Sequence, residues 1–236
     1  MSRLFMVRHA QASFGGPDYD VLSPVGEEQA RRLGLHWAEQ RMTFDKVFTG
    51  PRRRHQQTAE LVGASLRKHG LPWPEMIALP EIDEYAGLDV FRLGLPMLAG
   101  RETAVREMLN QKGDLTKAPV EMLKLFQDVM ARWVRGELDV PGVETWREFR
   151  ARARRGLNTL LAAGSAGGQV AVFTSTGPVA AALDLAFGLD DLRFIETSWQ
   201  VRNTAVSEFL FAPERFSLSI FNALPHLPPG QLVTYI

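Results

Sequence analysis

The chain contains no cysteine. That excludes a disulfide framework, a thiolate metal site and a cysteine nucleophile, and it fits a reducing compartment. Neither sign of charge is in excess: 27 basic and 27 acidic side chains cancel, and the pI is near 7.0. A neutral balance gives no global steering toward nucleic acid or an anionic membrane. Long apolar runs are also missing. MSRLFMVRHA holds only a few apolar residues before a charged pair, too few for a signal peptide or a spanning helix, and later apolar stretches are too short for a bilayer. A cytoplasmic protein is expected. No repeat or low-complexity segment is visible. A chain of 236 residues can bury a sizeable core as one domain or one domain with an insertion.

What is present is an alternation of short apolar runs with helical patterns. RLFMVR (3–8) and QVAVFT (169–174) are compact enough for strands buried on both faces. KVFT (46–49) is a shorter strand, and residues 76–79 a further short one. Gly15, Gly16 and Pro17 mark a loop. Ser23 and Pro24 suit an N-cap and first helical position, with Glu27 and Glu28 in the first turn and Leu33, Leu35, Trp37 and Ala38 as an apolar side. A second helix is expected over 52–68. Residues 88–143 differ in texture: Leu, Met and Arg dominate, with Gly94, Pro96, Gly100, Gly113 and Pro119 as punctuation. Short helices are expected there, including one over 120–135 whose Met122, Leu125, Phe126, Val129 and Trp133 form a core stripe. Helices over 144–163 and 176–187 follow, then two strands, 205–211 and 216–221, parted by Pro213. The alternation predicts an α/β fold, a three-layer α/β/α sandwich on a mostly parallel sheet. Residues 1–236 then form one domain with a helical insertion at about 88–143.

In open α/β sheets ligands lie beyond the carboxyl ends of the strands. Three strand ends here carry unusual chemistry: Arg8-His9, then Thr49-Gly50-Pro51 followed by Arg52, Arg53 and Arg54, then Thr174-Ser175-Thr176-Gly177. Parallel neighbours would bring them together. Guanidiniums near a helix start, with hydroxyls and backbone N–H groups, make a phosphate site. A histidine within it can attack phosphorus. The arginine run lacks interleaved aromatics, which argues against nucleic acid.

These stretches carry a resemblance. FMVRHAQAS resembles the Arg-His-Gly signature of the histidine phosphatase superfamily, the phosphoglycerate mutase-like proteins. DVLSPVGEEQARRLG resembles the stretch after the nucleophile, and VFTGPRRRHQQTAELV the Ser-Pro-x-x-Arg-x-x-Gln-Thr-Ala motif, with Gln57, Thr58 and Ala59 setting Arg54 as the second phosphate arginine. LPEIDEY stands at the acid region, ETWREFRAR resembles part of the insertion, and FNALPHL the C-terminal Asn-x-x-x-His-Leu. The resemblance implies that His9 is the phosphoryl-accepting nucleophile, that Arg8 and Arg54 clamp phosphate, and that Glu81 is the proton donor, with Glu84 and Asp83 as alternatives. It implies phosphate contacts at Ser175, Thr176 and Gly177, a small phosphorylated substrate, and no metal or other cofactor. Phosphomonoester hydrolysis is the expected reaction; mutase-type transfer and a non-catalytic phosphate binder are the alternatives. No nucleic-acid or membrane partner is expected, and the oligomeric state stays open, a homodimer among the options.

The chain departs from the family pattern at one place above all. A second histidine, in a Ser-His-Gly-Gly stretch, is usual at the end of the 169–174 strand; here Ser175 takes its position. A charge-assisted hydrogen bond is worth roughly 1.5–3 kcal/mol, so its loss could slow chemistry about ten- to a hundredfold. His55, next to Arg54, could substitute in space, but it reads more simply as a solvated helix residue. Ala10 replaces the usual glycine after the nucleophile. Arg52 and Arg53 read as solvated, Ser13 as a phosphate donor or a loop former, and Asn203, Asn222 and His226 as structural.

Overall fold

The computed structural model describes residues 1–13, 20–101, 119–228, 230 and 232–235. The loop expected at Gly15, Gly16 and Pro17 and the break at Gly113 lie outside them. The described residues divide into two compact units, Met1–Glu84 with Arg152–Ile236, and Tyr85–Ala151.

The first unit holds the sheet. Its strands are β1 (Ser2–Arg8), β2 (Lys46–Thr49), β3 (Met76–Ala78), β4 (Gln169–Thr174), β5 (Val206–Ala212) and β6 (Arg215–Ala223), in the order β3-β2-β4-β1-β5-β6. The four strands from β3 to β1 run parallel, and β5 and β6 are antiparallel to their neighbours. The sheet is therefore mixed, its parallel part lying where the phosphate chemistry was expected. In the central pair Arg8 lies opposite Thr174, so both strands end at the same level.

Strand residues alternate between two buried layers because successive side chains point to opposite faces. Phe5, Val7, Val47, Ala171 and Phe173 pack with Leu33 and Trp37 of α1 (Pro24–Glu39) and Val62 and Leu66 of α2 (Arg53–Lys68). The aromatic rings of Phe5, Trp37, Phe44, Phe173 and Trp73 meet mostly edge to face at 4.8–6.3 Å. Such pairs add to what their burial alone contributes. Leu4, Met6, Phe48, Val170 and Val172 are buried on the opposite face. The start of α1 follows expectation: Ser23 Oγ accepts from the Gly26 N–H at 3.0 Å, with Pro24 at the first helical position. Leu35 does not join the apolar side and is exposed. It stands two residues from both Leu33 and Trp37, which turns it about 200° around the helix from each.

The second unit comprises α3 (Gly87–Arg101), α4 (Pro119–Val134) and the first turns of α5 (Trp146–Ala163). Leu125, Val129 and Trp133 of the expected stripe are buried. Gly94 and Pro96 were expected to punctuate the chain, yet α3 runs through both. Packing overrides the local preference: a Cβ on Gly94 would come within 2.7 Å of Leu138 Cδ2, so the bare glycine admits that leucine. Tyr85, Trp133, Trp146 and Phe149 form an aromatic cluster in this unit.

Two helices complete the first unit, α6 (Thr176–Phe187) and α7 (Asp191–Ser198). The apolar α6 is buried through most of its length. The short α7, which the apolar pattern does not announce, starts where Asp190 accepts from the Arg193 N–H at 2.9 Å.

Candidate active site

His9 follows β1 and is held on three sides. Its own N–H donates to the Thr174 carbonyl at 2.7 Å, so the end of β1 is tied to the end of β4. Its carbonyl accepts from Asn203 Nδ2 at 3.0 Å. Its ring Nδ1 lies 2.7 Å from the Ala10 carbonyl, which can only accept, so Nδ1 carries the proton. Nε2 is then left with its lone pair, and the Arg54 Nε–H donates to it at 3.2 Å. Burial first, then Arg8, His55 and Arg54, hold the imidazole well below the usual histidine pKa, with the Ala10 bond opposing them. The result is a buried, neutral imidazole of fixed tautomer whose Nε2 lone pair faces Arg54.

The motif residues around Arg54 have mechanical roles. Thr58 Oγ1 accepts from the Ala10 N–H at 3.0 Å and donates to the Arg54 carbonyl at 2.6 Å. Gln57 Oε1 accepts from the Leu22 N–H at 3.0 Å, and Ala59 is fully buried in the core. Together they dock the first turn of α2 onto the chain that follows β1. Arg54 NH1 is paired with Asp20 at 2.7 Å, and Asp20 also accepts from the Arg53 N–H at 2.9 Å. Nothing in the sequence pattern singles out Asp20. Arg8 donates to the Val201 carbonyl at 2.5 Å and is buried beside His9.

At the end of β4, Ser175 leads into α6. Glu84, and not Glu81, faces this turn. Its carboxylate accepts from the Thr176 N–H and Oγ1 and from the Gly177 N–H, each at 2.9 Å. A carboxylate at a helix N-terminus satisfies donors that have no partner within the helix. Glu81, expected as the acid, is not joined to this cluster. Its Cβ packs toward Gly156 of α5, and among the described residues its carboxylate makes no hydrogen bond or ion pair. The two glutamates sit three residues apart across a 3₁₀ turn, Pro80–Ile82, and leave it in different directions. Arg152 fixes the segment by donating to the carbonyls of Glu81, Asp83 and Glu84 at 3.0–3.3 Å.

His55 also departs from expectation. It is fully buried rather than solvated, and its Nε2 lies 2.7 Å from Ser175 Oγ. Its ring centre is 5.5 Å from that of His9. Arg52 is half-exposed and paired with Asp83 at 2.8 Å rather than simply solvated. Ser13 Oγ donates to the Leu22 carbonyl at 3.3 Å and shapes its loop. Among the described residues, no group of three or more histidines and carboxylates is placed to hold a metal ion.

A buried neutral histidine with the Arg54 guanidinium on it and Arg8 beside it, at the carboxyl ends of the parallel strands, is an α/β arrangement with a class of its own. Comparison with known proteins places the chain within that class. The description "Histidine phosphatase superfamily (branch 1)" matches residues 4–89 and 99–224, and the chain belongs to this superfamily. It is 33% identical over 76 residues to the broad-specificity phosphatase of Saccharomyces cerevisiae, a match covering 30% of this chain and 33% of that protein. It is 34% identical over 91 residues to 2-carboxy-D-arabinitol-1-phosphatase of Triticum aestivum, covering 36% and 17%. Thus the chain spans a third or less of these curated relatives. The fold is shared with phosphoglycerate mutase of Bacillus anthracis (TM-score 0.62, 17% identity, covering 95% of this chain and 94% of that one). It is shared equally with a mycobacterial glucosyl-3-phosphoglycerate phosphatase (TM-score 0.61, 20% identity, covering 94% and 98%).

Proposed function

We propose that the protein hydrolyses phosphate monoesters of small molecules through a phosphohistidine at His9. The observation that carries this is the tautomer. Nδ1–H is committed to the Ala10 carbonyl, so the Nε2 lone pair is the ring's available electron pair, and the Arg54 guanidinium already points at it, where it would meet a phosphoryl group.

In the first step the Nε2 lone pair forms a bond to phosphorus while the bond from phosphorus to the ester oxygen breaks. The leaving oxygen takes a proton from the Glu84 carboxyl group. In the second step water attacks phosphorus, its proton goes to the Glu84 carboxylate, and the P–N bond breaks, returning the electron pair to Nε2. Atoms and charge are restored for the next cycle. As substrate enters, the Arg54 Nε–H turns from Nε2 to the phosphoryl oxygens, and with Arg8 it offsets the charge that develops there. These guanidiniums supply positive charge without a metal ion. Glu84 serves better than Glu81 because its carboxyl group is fixed at the turn that follows β4 while Glu81 packs toward Gly156; to donate it must first take up a proton, against N–H bonds that favour its ionised form. The phosphatase names of both curated relatives favour water as the final acceptor over a second hydroxyl.

p-Nitrophenyl phosphate is the test substrate. His9→Ala should lose at least about 10³-fold in kcat, as expected for removal of a covalent nucleophile. Acid-quenched wild type should carry label from ³²P-substrate on histidine. Equal rates for wild type and His9→Ala would overturn the reading.

A further inference from the structure

Two departures from the family motifs and one residue at an open motif position meet at one point. Ser175 stands where a histidine is usual. Gly50 precedes Pro51 where the motif has serine. His55 occupies an unspecified motif position. In space the His55 ring lies between the other two. Its Nε2 is 2.7 Å from Ser175 Oγ, and a Cβ built on Gly50 would come 2.2 Å from His55 Nδ1 and 2.8 Å from Cε1. Any side chain at position 50 would therefore collide with the ring. His55 and Ser175 are 0% and 1% exposed. Burying an imidazole and a hydroxyl together costs free energy unless they bond to one another.

We infer that His55 and Ser175 work as one unit in place of the missing histidine. Ser175 Oγ is the contact to the phosphoryl group, and His55 is the positioning residue that turns the serine proton toward it. The inference rests on the phosphohistidine reading of His9.

The geometry supports this division of labour. A hydroxyl has one proton and two lone pairs. If Oγ–H donates to Nε2, the serine has nothing left to give a phosphoryl oxygen. If Nε2–H donates to Oγ, the serine proton is released for an outside acceptor. A separation of 2.7 Å serves either arrangement; the ring's backbone bond to Gly50 favours a proton on Nδ1, so a phosphoryl oxygen facing Oγ has to draw that proton to Nε2 to select the second. Ser175 holds the N-cap position of α6, yet its side chain makes no capping bond there, which leaves the hydroxyl to His55 and to the site. The His55 ring centre lies 5.5 Å from that of His9, close enough for both rings to bound one phosphoryl group.

The test uses kcat and KM for p-nitrophenyl phosphate, with thermal melting of each variant. His55→Ala and Ser175→Ala should each lower kcat about ten-fold with KM little changed. The double variant should be no slower than either, since members of one unit are non-additive. Ser175→His alone should be slow, because the new imidazole meets the one already there. Adding His55→Ala to Ser175→His should recover kcat to within about three-fold of wild type. Gly50→Ala should lower kcat in wild type and do nothing further in His55→Ala. His55→Gln, which keeps an N–H donor and much of the bulk, covers the case in which the alanine variant does not fold, and it should stay within about three-fold of wild type. Unchanged kcat in His55→Ala, fully additive losses, or equal harm from Gly50→Ala in both backgrounds would overturn the inference. A wild-type rate in His9→Ala would instead remove the phosphohistidine reading beneath it.

Discussion

At the end of β1, Arg8 and His9 stand in sequence as in the family motif; Asn203 holds the His9 carbonyl and Thr58 the N–H of Ala10 next to it. At the end of β4, one strand away, Ser175 meets the imidazole of His55, which comes from α2. Both ends are buried and tied to one another through the His9 N–H and the Thr174 carbonyl. On the proposed phosphohistidine reading, the nucleophile cannot be moved without moving the electron pair that reacts, whereas a group that only supports phosphate can be supplied from any element within reach, provided space is cleared for it.

That contrast can be pressed hardest at the acid. Glu84→Gln should lower kcat for p-nitrophenyl phosphate by about 10²- to 10⁴-fold, the usual worth of a positioned proton donor, while Glu81→Gln should leave it nearly unchanged. The reverse result would return the acid to Glu81. Next comes Arg152, which gathers the carbonyls of Glu81, Asp83 and Glu84. Arg152→Met should cost about ten- to a hundredfold in kcat, because small misplacements of a reacting group are expensive. The same change should have no effect in a Glu84→Gln background.

Around β1 the expected effect is on stability. Thr58→Val leaves the Ala10 N–H without its acceptor and should cost about 1–3 kcal/mol in urea unfolding. A further effect is set by pH. His226 is buried against Thr204, and burial, with His36 second, pushes its pKa down to about 3. The unfolded chain accepts a proton near pH 6.5 that the folded chain refuses. The contribution is thus fully present above about pH 6.5 and is lost as pH falls toward 3. His226→Gln should reduce the slope of stability against pH in that window by about 1.4 kcal/mol per pH unit. Urea titrations between pH 4 and 7 read it directly; an unchanged slope would mean that His226 is protonated in the folded state.

The sequence was most legible where one residue does one local job. KVFT and QVAVFT form strands with the expected bounds, and Ser23-Pro24 starts a helix, because periodicity and capping chemistry are local. The Arg8, His9 and Arg54 grouping was readable because Gln57, Thr58 and Ala59 fix the register of α2. The choice between Glu81 and Glu84 was not, since it depends on how a 3₁₀ turn aims two carboxylates three residues apart. His55 beside three arginines looks like an exposed helix start. Its burial is set by Gly50 and Ser175, one before the helix and the other 120 residues away, and no window of sequence holds all three. Leu35 and Gly94 are failures of another kind, where helix geometry and a neighbour's bulk outweigh residue type.

The clamp on the His9 carbonyl has a reach that its position in the chain hides. Asn203, which makes it, accepts through Oδ1 from the Thr234 hydroxyl, and the Asn203 N–H donates to the Thr234 carbonyl. Gln29, fully buried, donates to the Leu232 carbonyl and to Thr234 Oγ1 while its Oε1 accepts from the Gln11 N–H. The segment around Thr234 is thus a latch on the segment that carries His9. A cut ahead of Leu232 would be felt at a ring more than two hundred residues upstream, so protein prepared that way would report the loss of this segment rather than the chemistry of its centre.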